Sequence, residues 1–187
     1  QSLIDLLEAV SAAAGDMRLR LGSLEPRTIT EDFCRRASKL PNLCPHFHLS
    51  MQSGCDSVLE RMGRRYTSAE FHACCERLRR AFPDCSITTD LIVGFPGETE
   101  EDFLDTLALT EKVRFDSMFT FIYSRRPGTP AAKIEDDTPR SVIQNRFDRL
   151  VESAGRVSAE LHRAQEGKTF RVLIDGTAKN GDYTLSA

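Results

Sequence analysis

Short segments in which polar and apolar residues alternate, each separated from the next by a capped helical pattern, constrain this chain more than any other feature. MRLRL at 17–21, HFHLSM at 46–51 and SITTDLIV at 86–93 carry the period of two that places successive side chains on opposite faces of a strand. A fourth strand is read at 117–123. Between them lie helical stretches with recognisable ends. A first helix covers about 2–14 and stops at Gly15, and Thr30 caps a short helix running to Ser38. Another short helix is read at 55–62. Thr67 with Glu70 forms a capping box for a helix ended by Pro83, and Thr99 caps the next, to about Lys112. Thr138 and Pro139, in cap and first-turn positions, open a long helix reaching about Gln165. Strand and helix in alternation predict an α/β fold with a parallel sheet.

The alternation inside the strands adds a second constraint. A parallel sheet covered on both faces runs almost continuously apolar. Here one face carries Arg18 and Arg20, then His46, His48 and Ser50, then Ser86, Thr88 and Asp90. The other carries Leu19, Leu21, Phe47, Leu49, Ile87 and Leu91, suited to packing under helices. The polar row fits a solvent-exposed face, and better a curved, barrel-like sheet around a polar cavity. Ligands in such folds bind at the carboxyl ends of the strands, which selects Ser23 and Glu25, residues 50–54, 90–97 and 124–129.

After Gly167 the pattern changes to a strand at 168–175, an Asn180-Gly181 turn and a strand at 183–186, the beginning of a small β module. The expected division is therefore 1–166 and 167–187. No apolar run approaches the ~20 residues of a membrane helix, so the expected protein is cytoplasmic with no membrane partner. A net charge of −3 gives no general nucleic-acid signature, although arginines cluster at 61, 64 and 65, at 77, 79 and 80, and at 125 and 126. The six cysteines lack the spacing of a zinc or iron–sulfur site and read as reduced thiols.

LRLGSLEP at 19–26, HLSMQSGCDSVLERMGRRYT at 48–67, TTDLIVGFPGETEEDF at 88–103 and YSRRPGTPAAKI at 123–134 occur in order. Together they resemble the radical S-adenosylmethionine methylthiotransferases, over about 17–175. The resemblance implies a portion of a partial (β/α)6 barrel followed by the start of a TRAM module, with the chain beginning after the loop that carries the cluster cysteines. It implies S-adenosylmethionine as cofactor, and two 4Fe-4S clusters in the full-length protein with ligands outside this chain. The QSG at 52–54 and the run at 126–132 look like the tRNA-modifying branches, whose substrate is the modified adenosine beside the tRNA anticodon. RRYT at 64–67 and GTPAAKI look most like the enzyme acting on threonylcarbamoyladenosine; the alternative is isopentenyladenosine, or a non-catalytic RNA-binding module. The fragment alone is expected to be inactive.

On that resemblance Gln52 offers donor and acceptor groups to ribose hydroxyls, Glu25 accepts from the methionine ammonium, and Asp90 serves the cofactor or pairs with an internal arginine such as Arg20. Arg126 is assigned to substrate phosphate or base. His46 and His48, two apart on a strand without a further ligand, read as wall rather than metal ligands. No side chain here is assigned a catalytic step or a metal.

Overall fold

The computed structural model describes residues 2–174, 176–177 and 185–186. Four parallel strands form one sheet in the order β1 (Ser23–Leu24), β2 (His46–Gln52), β3 (Ser86–Val93), β4 (Ser117–Ile122). Sequential strands are neighbours throughout, as crossover connections of one hand produce. The helices between and around them are α1 (Leu3–Ala13), α2 (Glu31–Ala37), α3 (Asp56–Arg61), α4 (Ser68–Ala81), α5 (Glu100–Val113) and α6 (Arg140–Arg163).

The helix ends follow from local chemistry. Thr67 and Glu70 cap α4 reciprocally, Thr99 and Asp102 cap α5 in the same way, and Thr30 Oγ1 accepts the Phe33 N–H at the start of α2. Ser2 and Asp5 form a further capping box on α1. At α6 the expectation of a threonine cap is corrected. Pro139 occupies the cap position without a side-chain bond, because the Thr138 hydroxyl donates to Asp136 instead, at 2.7 Å.

Phe47, Leu49, Ile87 and Leu91 are fully buried on the helix-covered face, where they meet Phe71, Leu78, Phe103 and Val113. Each such side chain contributes about 1.5–3 kcal/mol through burial. The opposite face keeps His46, His48, Ser86, Asp90 and Phe119 partly or fully accessible. This one-sided burial explains the alternation in the sequence: one face is core and the other opens on a cavity.

Two expected strands move. Residues 17–21 do not form a strand of their own; Leu19 makes an isolated parallel bridge with Leu43, and the first sheet strand lies later, at Ser23–Leu24. Gly22 precedes it, and the strand's two residues pair with His48 and Leu49. Residues 168–174 also carry no strand, and Phe170, Val172, Leu173 and Ile174 are exposed. An antiparallel pair does follow, β5 (Gly176–Thr177) with β6 (Leu185–Ser186), while the Asn180-Gly181 turn lies outside the described residues. No described helix is long and apolar enough to cross a membrane.

Candidate functional site

The site begins where β2 ends. Its pairing with β3 slips between Leu49 and Gln52, and Gln52 adopts φ +66°, the left-handed region that disfavours a side chain. Such a conformation costs a non-glycine residue roughly 1–2 kcal/mol and persists only where the surroundings impose it. They do so here through buried side chains. Thr89 Oγ1 donates to the Leu49 carbonyl at 2.6 Å and accepts the Met51 N–H at 3.1 Å. Tyr66 Oη donates to the Ser50 and Met51 carbonyls, and burial lifts its phenol to about 12. Thr106 Oγ1 accepts the Gly54 N–H at 2.9 Å. Gly54 is required for that approach, since a Cβ there would stand 2.6 Å from the Thr106 Cα.

The turn after β3 is fixed with equal firmness. Gly94 takes φ +71°, and a Cβ on it would meet Ile143 Cγ2 of α6 at 2.6 Å. Glu98 is buried and accepts the Gly94 N–H, while Arg146 reaches its carboxylate at 3.4 Å and its carbonyl at 2.9 Å. Burial raises the Glu98 carboxyl above its usual range, and the Gly94 N–H and Arg146 oppose that rise. Arg146 and Arg149 both bind Glu100, so the Gly94–Glu98 loop is tied to α6 through four charged side chains. On the outer side of the loop Asp102 accepts from Cys55, Ser57, Arg61 and the Thr99 N–H. Burial pushes its carboxyl up, but those bonds outweigh it and hold it at about 2.

These supports frame a cleft of about 760 Å³ at the carboxyl ends of β2, β3 and β4. Gln52 and Asp90 line it, Arg126 lines it from the loop after β4, and Ile92, Phe95 and Phe121 supply apolar wall. Three of the four expected site residues thus converge. The fourth does not join them directly: Glu25 lies in an adjoining pocket that shares Met62, Gly63 and Arg64 with the cleft, and it pairs with Arg64 at 3.2 Å. Asp90 takes His48 as its partner, Nε2 to Oδ2 at 3.0 Å; Arg20 instead contacts His46 at 3.2 Å. Arg125 turns to the Ile134 carbonyl.

Sequence reasoning passed over two residues. Arg64 lines both cavities, and it was marked only by its place in an arginine cluster and in the RRYT motif, with no role assigned. Tyr123 packs edge-on against Phe95, with ring centroids 5.2 Å apart, and its hydroxyl is buried without a hydrogen-bond partner among the described residues. An orphaned hydroxyl in a cleft wall suits a polar ligand group.

Residues 2–110 match the Radical SAM superfamily. The chain belongs to the radical SAM superfamily. It is 43% identical over 181 residues to the tRNA-2-methylthio-N(6)-dimethylallyladenosine synthase of Clostridium botulinum (strain Loch Maree / Type A3), covering 97% of this chain and 40% of that protein. The protein of the same description from Mycobacteroides abscessus is 46% identical over 170 residues, covering 91% of this chain and 34% of that one. The chain therefore spans between about a third and two fifths of the length of these curated relatives. Among solved structures, coproporphyrinogen III oxidase from Escherichia coli, a radical SAM enzyme, superposes with a TM-score of 0.63 at 19% identity, over 80% of this chain and 37% of that one. That likeness supports the expected portion of a parallel (β/α) barrel.

The superfamily's cofactors are S-adenosylmethionine and a 4Fe-4S cluster. The cleft fits the first: the Gln52 carboxamide, the Asp90 carboxylate and the Arg126 guanidinium line a volume walled by apolar side chains. The described residues do not fit the second, because no three His, Cys, Asp or Glu side chains among them converge on a point. The cysteines are dispersed, and burial raises the thiols of Cys34 and Cys85 to about 11 and of Cys74 to about 12.

Proposed function

We propose that this chain forms the cofactor-cradling, substrate-facing wall of a tRNA methylthiotransferase. In the full-length protein that enzyme adds a methylthio group at C2 of N6-dimethylallyladenosine beside the anticodon. The convergence of Gln52, Asp90 and Arg126 on one cleft at the strand ends of a radical SAM fold carries this reading. Bound S-adenosylmethionine supplies hydrogen-atom abstraction and the methyl group.

The residues then divide the cofactor between them. Gln52 meets ribose hydroxyls with its amide, and Asp90 accepts a hydroxyl through Oδ1, since Oδ2 is taken by His48. Glu25 and Arg64 exchange their mutual bond for the ammonium and carboxylate of the methionine half, a zwitterion of matching polarity. Tyr123 gains a partner for its hydroxyl, and Arg126 takes substrate phosphate or a base edge. Ile92, Phe95 and Phe121 exclude water around the reacting carbon. Residues 167–187, assigned to a small β module, take part in RNA binding.

The choice of adenosine departs from the motif-level expectation of threonylcarbamoyladenosine. The relatives named above favour the alternative, since dimethylallyl and isopentenyl denote the same N6 substituent. Expression of the full-length gene in a strain lacking the modification, followed by nucleoside mass spectrometry, tests the assignment. Methylthio-dimethylallyladenosine is expected; methylthio-threonylcarbamoyladenosine in its place overturns it.

A further inference from the structure

The open face of the sheet carries a row of polar contacts that the proposed site uses only at its last member. Arg20 reaches both ring nitrogens of His46, with Nε 3.2 Å from Nδ1 and Nη2 3.2 Å from Nε2. His46 Nε2 lies 3.4 Å from Thr88 Oγ1, which lies 2.9 Å from His48 Nδ1, and His48 Nε2 lies 3.0 Å from Asp90 Oδ2. The histidines come from β2, Thr88 and Asp90 from β3, and the ends of the row are chemically fixed. A guanidinium only donates and an ionised carboxylate only accepts.

The carboxylate end sets the proton beside it. Asp90 requires a proton on His48 Nε2, and Thr88 Oγ1 meets the other ring nitrogen, Nδ1. His46 is not fixed in the same way, because the donor-only guanidinium of Arg20 approaches both of its nitrogens. Burial and the neighbouring Arg20 charge lower the His46 pKa. What the His48 contacts do is hold a rotamer.

We infer that His48, held at its other ring nitrogen by Thr88, is a positioning residue that orients the Asp90 carboxylate with its Oδ1 presented to the cleft. The ligand half of this inference rests on the proposed cofactor reading; the His48–Asp90 bond does not. Phe119 of β4, with its ring centroid 5.9 Å from that of His48, closes the side of the imidazole away from β1.

Two measurements test this role. Nitrogen-15 spectra of the histidine side chains should show a proton on His48 Nε2, bonded to Asp90. The Nδ1–H tautomer at His48 overturns that bond. In the full-length protein, His48→Leu should weaken S-adenosylmethionine binding roughly tenfold, while His48→Gln, whose amide retains a donor toward Asp90, stays within about threefold of the parent. Thr88→Val, altering a residue outside the cleft, should weaken binding by a few fold. Equal affinities in all three variants reject the positioning role. If Asp90→Ala also binds normally, the cofactor reading is what has failed, and the His48 tautomer still judges the His48–Asp90 bond.

Discussion

Arg146→Met should be the most damaging conservative change on α6. The Arg146 and Glu98 side chains are 6% and 4% exposed, so the substitution leaves a carboxylate and the Glu98 carbonyl in the interior without their cation. Breaking a buried pair from one side costs about 3–5 kcal/mol, a large share of the ~5–15 kcal/mol that hold a typical domain together. Met fills the aliphatic volume, so the loss is electrostatic. Adding Glu98→Gln removes the stranded charge but keeps an oxygen for the Gly94 N–H, and should restore at least ~1.5 kcal/mol. The pH dependence follows from the raised Glu98 pKa. A carboxyl whose folded pKa lies above its unfolded value of about 4.5 stabilises the fold below that value and ceases to do so as pH rises through the folded one. Removing Arg146 raises it further, so the deficit should be largest near neutrality and shrink toward pH 4.5. Urea titrations of the parent, single and double variants at several pH values read all of this. A loss under about 1 kcal/mol, or a deficit constant with pH, would refute the buried ion pair.

Gly94→Ala combines a left-handed backbone with a 2.6 Å approach to Ile143, and should lower stability by about 2–4 kcal/mol in the same titration; Ile143→Ala on that background should return only the steric part. Thr89→Val keeps shape but leaves the Met51 N–H and Leu49 carbonyl unpaired, and should cost about 1–3 kcal/mol. Gln52→Gly removes the strain at φ +66° and should leave urea stability equal or higher while S-adenosylmethionine affinity falls in the full-length protein; a joint fall in stability would show that the side chain serves packing. Thiol titration with a disulfide reagent at neutral pH should find Cys34, Cys74 and Cys75 unreactive until denaturant is added, because burial keeps them protonated.

The sheet was legible in the sequence because its two faces differ. The buried row Phe47, Leu49, Ile87 and Leu91 and the accessible row His46, His48 and Asp90 follow from the period of two alone. Helix starts at Thr30, Thr67 and Thr99 were equally legible, since capping is local chemistry. Residues 17–21 alternate as well as any strand, yet the sheet pairs Ser23 and Leu24, because register depends on β2 and not on the segment's own pattern. Gln52, Asp90 and Arg126 were found from strand ends and motif resemblance. The partner of Asp90 was not. His48 sits two residues before Ser50 on the neighbouring strand, and only the β2–β3 register brings it, rather than Arg20, to the carboxylate. Glu98 stood out only as part of the motif at 88–103; its burial against Arg146, 48 residues away, is a tertiary fact with no local signal.

The most direct test of the proposed function is calorimetric titration of S-adenosylmethionine into the full-length protein and its Gln52→Ala and Asp90→Ala variants. If the cleft at the ends of β2 and β3 is the cofactor site, each substitution removes a hydrogen-bonding group to the ligand and weakens binding by roughly tenfold or more. Unchanged affinity in both variants would place the cofactor elsewhere and contradict the assignment of this cleft.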